Sequence, residues 1–262
     1  MTEQLGRRAA MVLLGSMLLG ICVGLMAWGP VTSRDVLAFA DTRTLLGIPN
    51  ALNVLTGLVI LAVALWGVRV TWRMDRSAPV RSAWLCFQVT AAVGGTLAAV
   101  YHLEPSPALL LLSTALLSAG FVLLFISMLA ERVHAQFGST KSVVAALGLV
   151  ACLTLVVHLS ADGIEQADLR PLLLLEIMPL LLIPAGALSL RGQGTKPADW
   201  VIVLSLYALA KLFECGDAAI FSWSGWISGH SLMHLALAAV VAWLAHCAGR
   251  HARWAALPAE VT

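Results

Sequence analysis

Residues 228–248 read Ser228-Gly229-His230-Ser231-Leu232-Met233-His234 and then continue, almost without a polar interruption, through Leu235 to Ala248. The run is long enough to cross about 30 Å of hydrocarbon as a helix. Its two histidines, four residues apart, stack on one face. A polar side chain at membrane depth is costly, so the pair marks a functional site unless each ring only hydrogen-bonds a neighbouring helix. Spacing of i, i+4 favours a metal, but two ligands are too few for a zinc site, and a third has to come from elsewhere in the chain.

The rest of the chain extends this pattern. Of 262 residues, 60% are hydrophobic and 11% charged, and the mean hydropathy of +0.91 lies outside the soluble globular range. Apolar stretches at 9–29, 51–70, 83–103, 107–130, 142–160, 171–190, 200–221 and 229–248 give eight expected spans in an all-α membrane protein with no soluble domain. If the N-terminus is inside, the inner segments hold Arg7, Arg8, Arg69, Arg73, Arg76, Arg81, Arg132, Lys141, Arg191, Lys196, Arg250 and Arg253. The outer loops hold Arg34, Arg43 and Arg170, and Lys211 falls within a span. Such a bias implies both termini in the cytoplasm. Trp28, Trp223 and Trp226 then fall at the outer interface, and Trp72, Trp84, Trp200 and Trp243 toward the inner one.

The net charge of +2 expresses orientation in the bilayer; with no basic patch interleaved with aromatics, nucleic acid is excluded as a partner. The five cysteines show no CxxC pairing, and no disulfide is expected. Arg7-Arg8 before an apolar run and Ala38-Phe39-Ala40 after it have the look of a secretory signal. The run is too long and the cleavage-like site lies about ten residues beyond it, so residues 1–30 are expected to remain as a membrane anchor.

The remaining polar residues of the spans gather toward the outer side. Span three ends in Tyr101-His102-Leu103-Glu104, supplying a third histidine at the level of His230. Ser113 follows in span four, where a lone serine ordinarily bonds its own i−4 carbonyl. His158 ends span five. Glu176 lies early in span six, ahead of Pro179 and Pro184, which predict a kink. Lys211 and Glu214 stand at i, i+3, as in a self-neutralising ion pair, with Asp217 just beyond them. Asn50 and Asn53 open span two, where helix capping accounts for them. Together these residues predict a buried polar pocket open toward the outside.

With those residues in hand, the chain resembles the alkaline ceramidase family, its bacterial members above all, and more distantly the progestin and adipoQ receptors. The resemblance covers about residues 39–242. It is carried by residues 39–53, Tyr101-His102-Leu103, Asp168-Leu169-Arg170-Pro171, residues 207–217 and the 228–234 stretch. It implies a seven-helix core over residues 31–250, with residues 1–30 as an additional transmembrane helix and residues 251–262 as a cytoplasmic tail, in a bacterial inner membrane. It also implies a zinc-dependent amidase that splits the N-acyl bond of ceramide, a membrane lipid, with His102, His230 and His234 on the metal, in the outer leaflet. Oligomeric state is left open.

Two departures bear on catalysis. Ala98 stands where the family has a serine, and Ser113 where it has a catalytic aspartate; Glu104, Glu176 and Asp217 are the candidate replacements. Asn50 stands where a calcium-binding glutamate is usual, so no calcium site is expected. The alternative to a working amidase is a catalytically impaired, metal-binding lipid-binding or receptor-like protein of the same fold. A haem-binding electron carrier using His102 and one of the C-terminal pair is a third reading.

Overall fold

The structure is a computed structural model that describes residues 2–27, 29–32, 39–160, 166–192 and 194–254. Trp28, Arg34, Ala38 and residues 255–262 of the expected tail lie outside the described residues. The chain is all-α: α1 (Thr2–Ala27), α2 (Ala51–Trp72), α3 (Arg81–Leu103), α4 (Pro107–Arg132), α5 (Thr140–Leu159), α6 (Arg170–Ser189), α7 (Pro197–Cys215), α8 (Asp217–Ser224) and α9 (Gly229–Trp254). Among the described residues no strand is formed beyond an isolated bridge between Leu45 and Ile48.

The apolar runs become helices because a bilayer offers backbone groups no partner, so each segment must satisfy its own. Six of them, α2 to α6 and α9, are long and apolar enough to span a membrane. In α1 the apolar stretch is the shorter Met11–Gly24, and α7 has 19 residues that include Asp199, Lys211 and Glu214. Among the described residues these six meet that measure, against the eight spans expected. The span expected at 200–221 also divides: α7 stops at Cys215, Gly216 caps it, and α8 starts at Asp217 as a separate helix. α6 runs as one element with both Pro179 and Pro184 inside it.

Large aliphatic side chains point outward along the bundle, among them Leu65, Leu155, Leu188 and Leu212, as a lipid-facing surface requires. Inside, α2 packs most extensively on α3 and then on α9, α7 packs on α9, and α1 packs on α6. The α2–α3 crossing is close because small residues line it. A Cβ on Gly95 would lie 2.6 Å from the Leu61 amide nitrogen and 2.9 Å from the Gly57 carbonyl oxygen, so only glycine permits that approach.

The end of the bundle opposite the histidines is tied by charges that hydropathy alone does not reveal. Buried Arg132 donates to the carbonyls of Leu190 (2.6 Å) and Thr195 (2.7 Å). Its neighbour Glu131 accepts from the Thr195 amide (2.6 Å) and hydroxyl (2.6 Å). Asp199 pairs with Arg250 at 2.5 Å, joining the start of α7 to the end of α9. These bonds satisfy helix-end groups that would otherwise be orphaned and hold α4, α7 and α9 in register beneath the cavity described next.

Candidate metal centre

α3 and α9 bring the three histidines together. His102, in the last turn of α3, is 1% exposed, His234 in the second turn of α9 is 4% exposed, and His230 is half-buried. One ring nitrogen from each lies within 4.8 Å of the others, and His102 Nε2 and His230 Nε2 are 3.2 Å apart. A tetrahedral ion with bonds of about 2.0–2.1 Å holds neighbouring imidazole nitrogens a little over 3 Å apart. The His102–His230 pair stands at that separation, and with His234 the cluster is close enough to hold a metal ion.

Their orientation has identifiable causes. The Thr56 hydroxyl on α2 donates to the Leu52 carbonyl at 2.8 Å and lies 3.0 Å from His234 Nδ1. The same hydroxyl also reaches the Asn53 carbonyl at 3.2 Å, and its contact with Nδ1 holds the ring so that Nε2 is the nitrogen left for the other two histidines. Asp217 accepts from the His230 amide at 2.7 Å through Oδ1 and from the Ala40 amide at 2.8 Å through Oδ2. It therefore ties the first turn of α9 to the segment crossing above it. At Gly229 a Cβ would press on the Phe213 carbonyl and the Asp217 backbone, so glycine is what lets α9 begin this close to α7 and α8.

Residues 39–50 cross over the histidines. The Phe39 ring meets those of His102 and His230 at centroid distances of 4.7 and 5.2 Å. Arg43 holds the segment down: it pairs with Asp41 at 2.8 Å and donates to the Trp226 carbonyl at 2.7 Å, with its guanidinium over Phe221. That guanidinium keeps the Asp41 carboxyl below the usual carboxylate range.

The two asparagines are not caps. Asn50 adopts the left-handed conformation without a side-chain capping bond and donates instead to the His102 carbonyl at 2.8 Å. Asn53, fully buried, accepts from Ser231 on α9 at 2.6 Å and reaches the Asp41 carbonyl at 3.4 Å. Both side chains join α2 to the elements that carry the histidines.

Below Phe39 a cavity of about 420 Å³ runs down the bundle between α3, α4, α6, α7 and α9. Its lining extends on α3 from His102 to Phe87, fifteen residues and so about 22 Å along the axis. The lower walls are mostly apolar, including Phe87, Leu124 and Val241 with Thr90 among them, and Tyr101, Ser113, Lys211 and Glu214 line the cavity together with the histidines.

Of the residues singled out by sequence, Ser113, Glu176, Lys211 and Glu214 share this cavity with the three histidines. Lys211 and Glu214 form the expected ion pair at 2.7 Å, their side chains 45% and 32% exposed. Ser113 does not bond its own i−4 carbonyl; its buried Oγ has no protein hydrogen-bond partner. Glu176 is 6% exposed and meets Ser118 Oγ at 3.1 Å. The same hydroxyl also reaches the Thr114 and Leu172 carbonyls, so one hydrogen serves three acceptors and Glu176 is a thinly partnered carboxyl in the wall.

Glu104 and His158 are exposed at helix ends and line no part of the cavity. Asp217 also lies outside the lining, with both carboxylate oxygens occupied by backbone amides. Of the candidate carboxylates Glu104, Glu176 and Asp217, Glu176 alone is among the residues lining this cavity. Sequence reading missed Thr56, Phe39 and Ser118; the one available signal was Thr56 standing three residues after Asn53 on the same helix face. No family model, curated protein or solved structure matches the chain, and its own atoms describe an all-α membrane protein with a three-histidine cluster able to hold a metal ion at the polar end of an apolar cavity.

Proposed function

We propose that this protein is a zinc-dependent intramembrane hydrolase of the alkaline ceramidase type, cleaving the N-acyl bond of a ceramide-like lipid. The observation that carries the reading is the convergence of three imidazoles at one end of a long apolar cavity inside a membrane bundle. Such a cavity suits an acyl chain, with the bond to be cut at its polar end. Zinc held by three histidines with one position left open supplies Lewis acidity at neutral pH.

In this reading the chain's own groups perform the remaining tasks. His102, His230 and His234 hold the ion, and Thr56 fixes the ring of His234. Phe39 excludes water from above. In the net reaction water adds across the amide: the carbonyl carbon gains oxygen, the C–N bond breaks, and the nitrogen leaves as an amine after taking a proton. Glu176 is the group within the cavity suited to carry that proton. The rim formed by Lys211 and Glu214 on α7 suits lateral entry from the outer leaflet, with both termini cytoplasmic as the Lys/Arg bias requires. A reporter domain fused to the C-terminus and active only in the cytoplasm tests that orientation.

The catalytically impaired lipid-binding protein is the second reading, favoured by Ala98 and Ser113 in the cavity wall. One experiment separates them. Purified protein is assayed for zinc and for ceramide hydrolysis, alongside His230→Ala, Glu176→Gln and Ser113→Asp. The hydrolase reading expects about one zinc per chain, loss of zinc in His230→Ala, and a loss of about 10²–10⁴ in turnover in Glu176→Gln with zinc retained. A wild type that binds zinc but cleaves no ceramide, and gains activity in Ser113→Asp, establishes the second reading.

A further inference from the structure

Tyr101 precedes His102 on α3, and its ring packs edge-on against Phe39 (5.7 Å) and His102 (5.3 Å). The residue is 6% exposed and lines the cavity. Its hydroxyl is nevertheless buried without a hydrogen-bond partner on the protein. Buried hydroxyls almost always find a partner, because one left alone costs about 1–3 kcal/mol. Phenylalanine would fill the same ring site, contact the same neighbours and avoid that cost. Other buried groups without a partner, such as Thr71 Oγ1 and Trp84 Nε1, line no part of the cavity; Tyr101 is distinguished by lining it, where a bound molecule could supply the partner. The only other cavity-lining hydroxyl in this condition among the described residues is Ser113, across from it on α4.

We propose that Tyr101 is a substrate-binding residue whose Oη donates a hydrogen bond to the acyl carbonyl oxygen of a long-chain N-acyl lipid seated in the cavity. The assignment rests on the lipid reading of the cavity given above and adds a residue and an atom to it. A phenol donates one strong hydrogen bond, and a carbonyl is the acceptor that every N-acyl lipid carries next to its chain. The apolar wall from Leu110 to Val241 takes the chain, and the hydroxyl meets the group that follows it. Ser113 provides the second hydroxyl at the same polar end. The donor distinguishes a carbonyl-bearing lipid from a plain alkyl chain of equal length, which gains the apolar contacts alone.

Tyr101→Phe removes one oxygen and keeps every ring contact, so folding and binding separate cleanly. Wild type and variant, each loaded with zinc and reconstituted in lipid nanodiscs, are titrated with N-hexadecanoyl ethanolamine and with hexadecane while Tm is followed. The ligand-free variant should melt at or above the wild-type temperature, since it no longer buries a lone hydroxyl. Its affinity for the N-acyl lipid should fall about fivefold, and its affinity for hexadecane, which offers no acceptor, should be unchanged. Equal affinity of both proteins for the N-acyl lipid overturns the Tyr101 assignment and leaves the lipid cavity standing. A lower Tm of the ligand-free variant also overturns it, because the hydroxyl would then serve the fold. If the wild type binds neither compound, the lipid reading falls and the assignment falls with it.

Discussion

Replacing Asp217 by Asn tests whether this carboxylate builds the site or works in it. Oδ1 takes the His230 amide at 2.7 Å and Oδ2 takes the Ala40 amide at 2.8 Å. Asparagine keeps one acceptor oxygen and turns an NH₂ toward the other amide, so one bond is lost and a donor faces a donor. Hydrogen bonds to a charged group contribute about 1.5–3 kcal/mol, and a negative charge at the start of α9 adds about 0.3–1 kcal/mol. The expected cost is about 2–3 kcal/mol. At about 2–4 °C per kcal/mol for a chain of this size, Tm should fall by about 5–10 °C. Asp217→Ala, which removes both acceptors, should fall further. The assay is thermal unfolding of purified protein with titration of the proposed zinc alongside, because loosening Ala40 and His230 also loosens the Phe39 cover and one of the three clustered histidines. A catalytic acid would behave differently: turnover would drop while Tm and zinc affinity stayed at wild-type values. That outcome would refute the clamp.

Two further predictions follow from the same geometry. Thr56→Val deletes the hydroxyl that lies 3.0 Å from His234 Nδ1, so affinity for the proposed zinc, measured by chelator competition, should drop about 10–100-fold, with Thr56→Ser retaining most of it; wild-type affinity in the valine variant would show that the threonine does not orient the ring. For Asp41, the Arg43 guanidinium holds the folded carboxyl below its unfolded value, so the pair's stabilisation is fully present above the unfolded pKa and is lost as pH falls through the folded one. Asp41→Asn should therefore melt below wild type at neutral pH, with the gap closing below about pH 4. A gap that stays constant down through that range would contradict the assignment.

Much of the architecture is legible in one dimension because a bilayer imposes a simple rule. Every backbone group must be satisfied locally, so an apolar run of sufficient length is a helix before any packing is known. The runs in α2 to α6 and α9 were readable on that basis, as was the His230–His234 pair from helical periodicity. The Lys211–Glu214 pair was readable too, since i, i+3 neighbours on a helix meet whatever surrounds them. The division of the 200–221 stretch at Gly216 was not, since hydropathy averages over a single glycine.

Tertiary structure alone decided which polar residues share the site. His102 and His230 are 128 positions apart and meet at 3.2 Å because α3 and α9 converge where α2 packs against both, a distance no spacing rule encodes. Glu176, Asp217 and Glu104 were equivalent as carboxylates in a list; their side-chain directions and partners separate a cavity-wall acid from a backbone clamp and a surface residue. Asn50 and Asn53 looked like caps because local bonding is the default where neighbours are unknown, and they proved to be long-range ties because α3 and α9 place acceptors and donors closer to them than their own helix does. Sequence determines what each segment can satisfy within itself, and the fold determines which of the groups left over find one another.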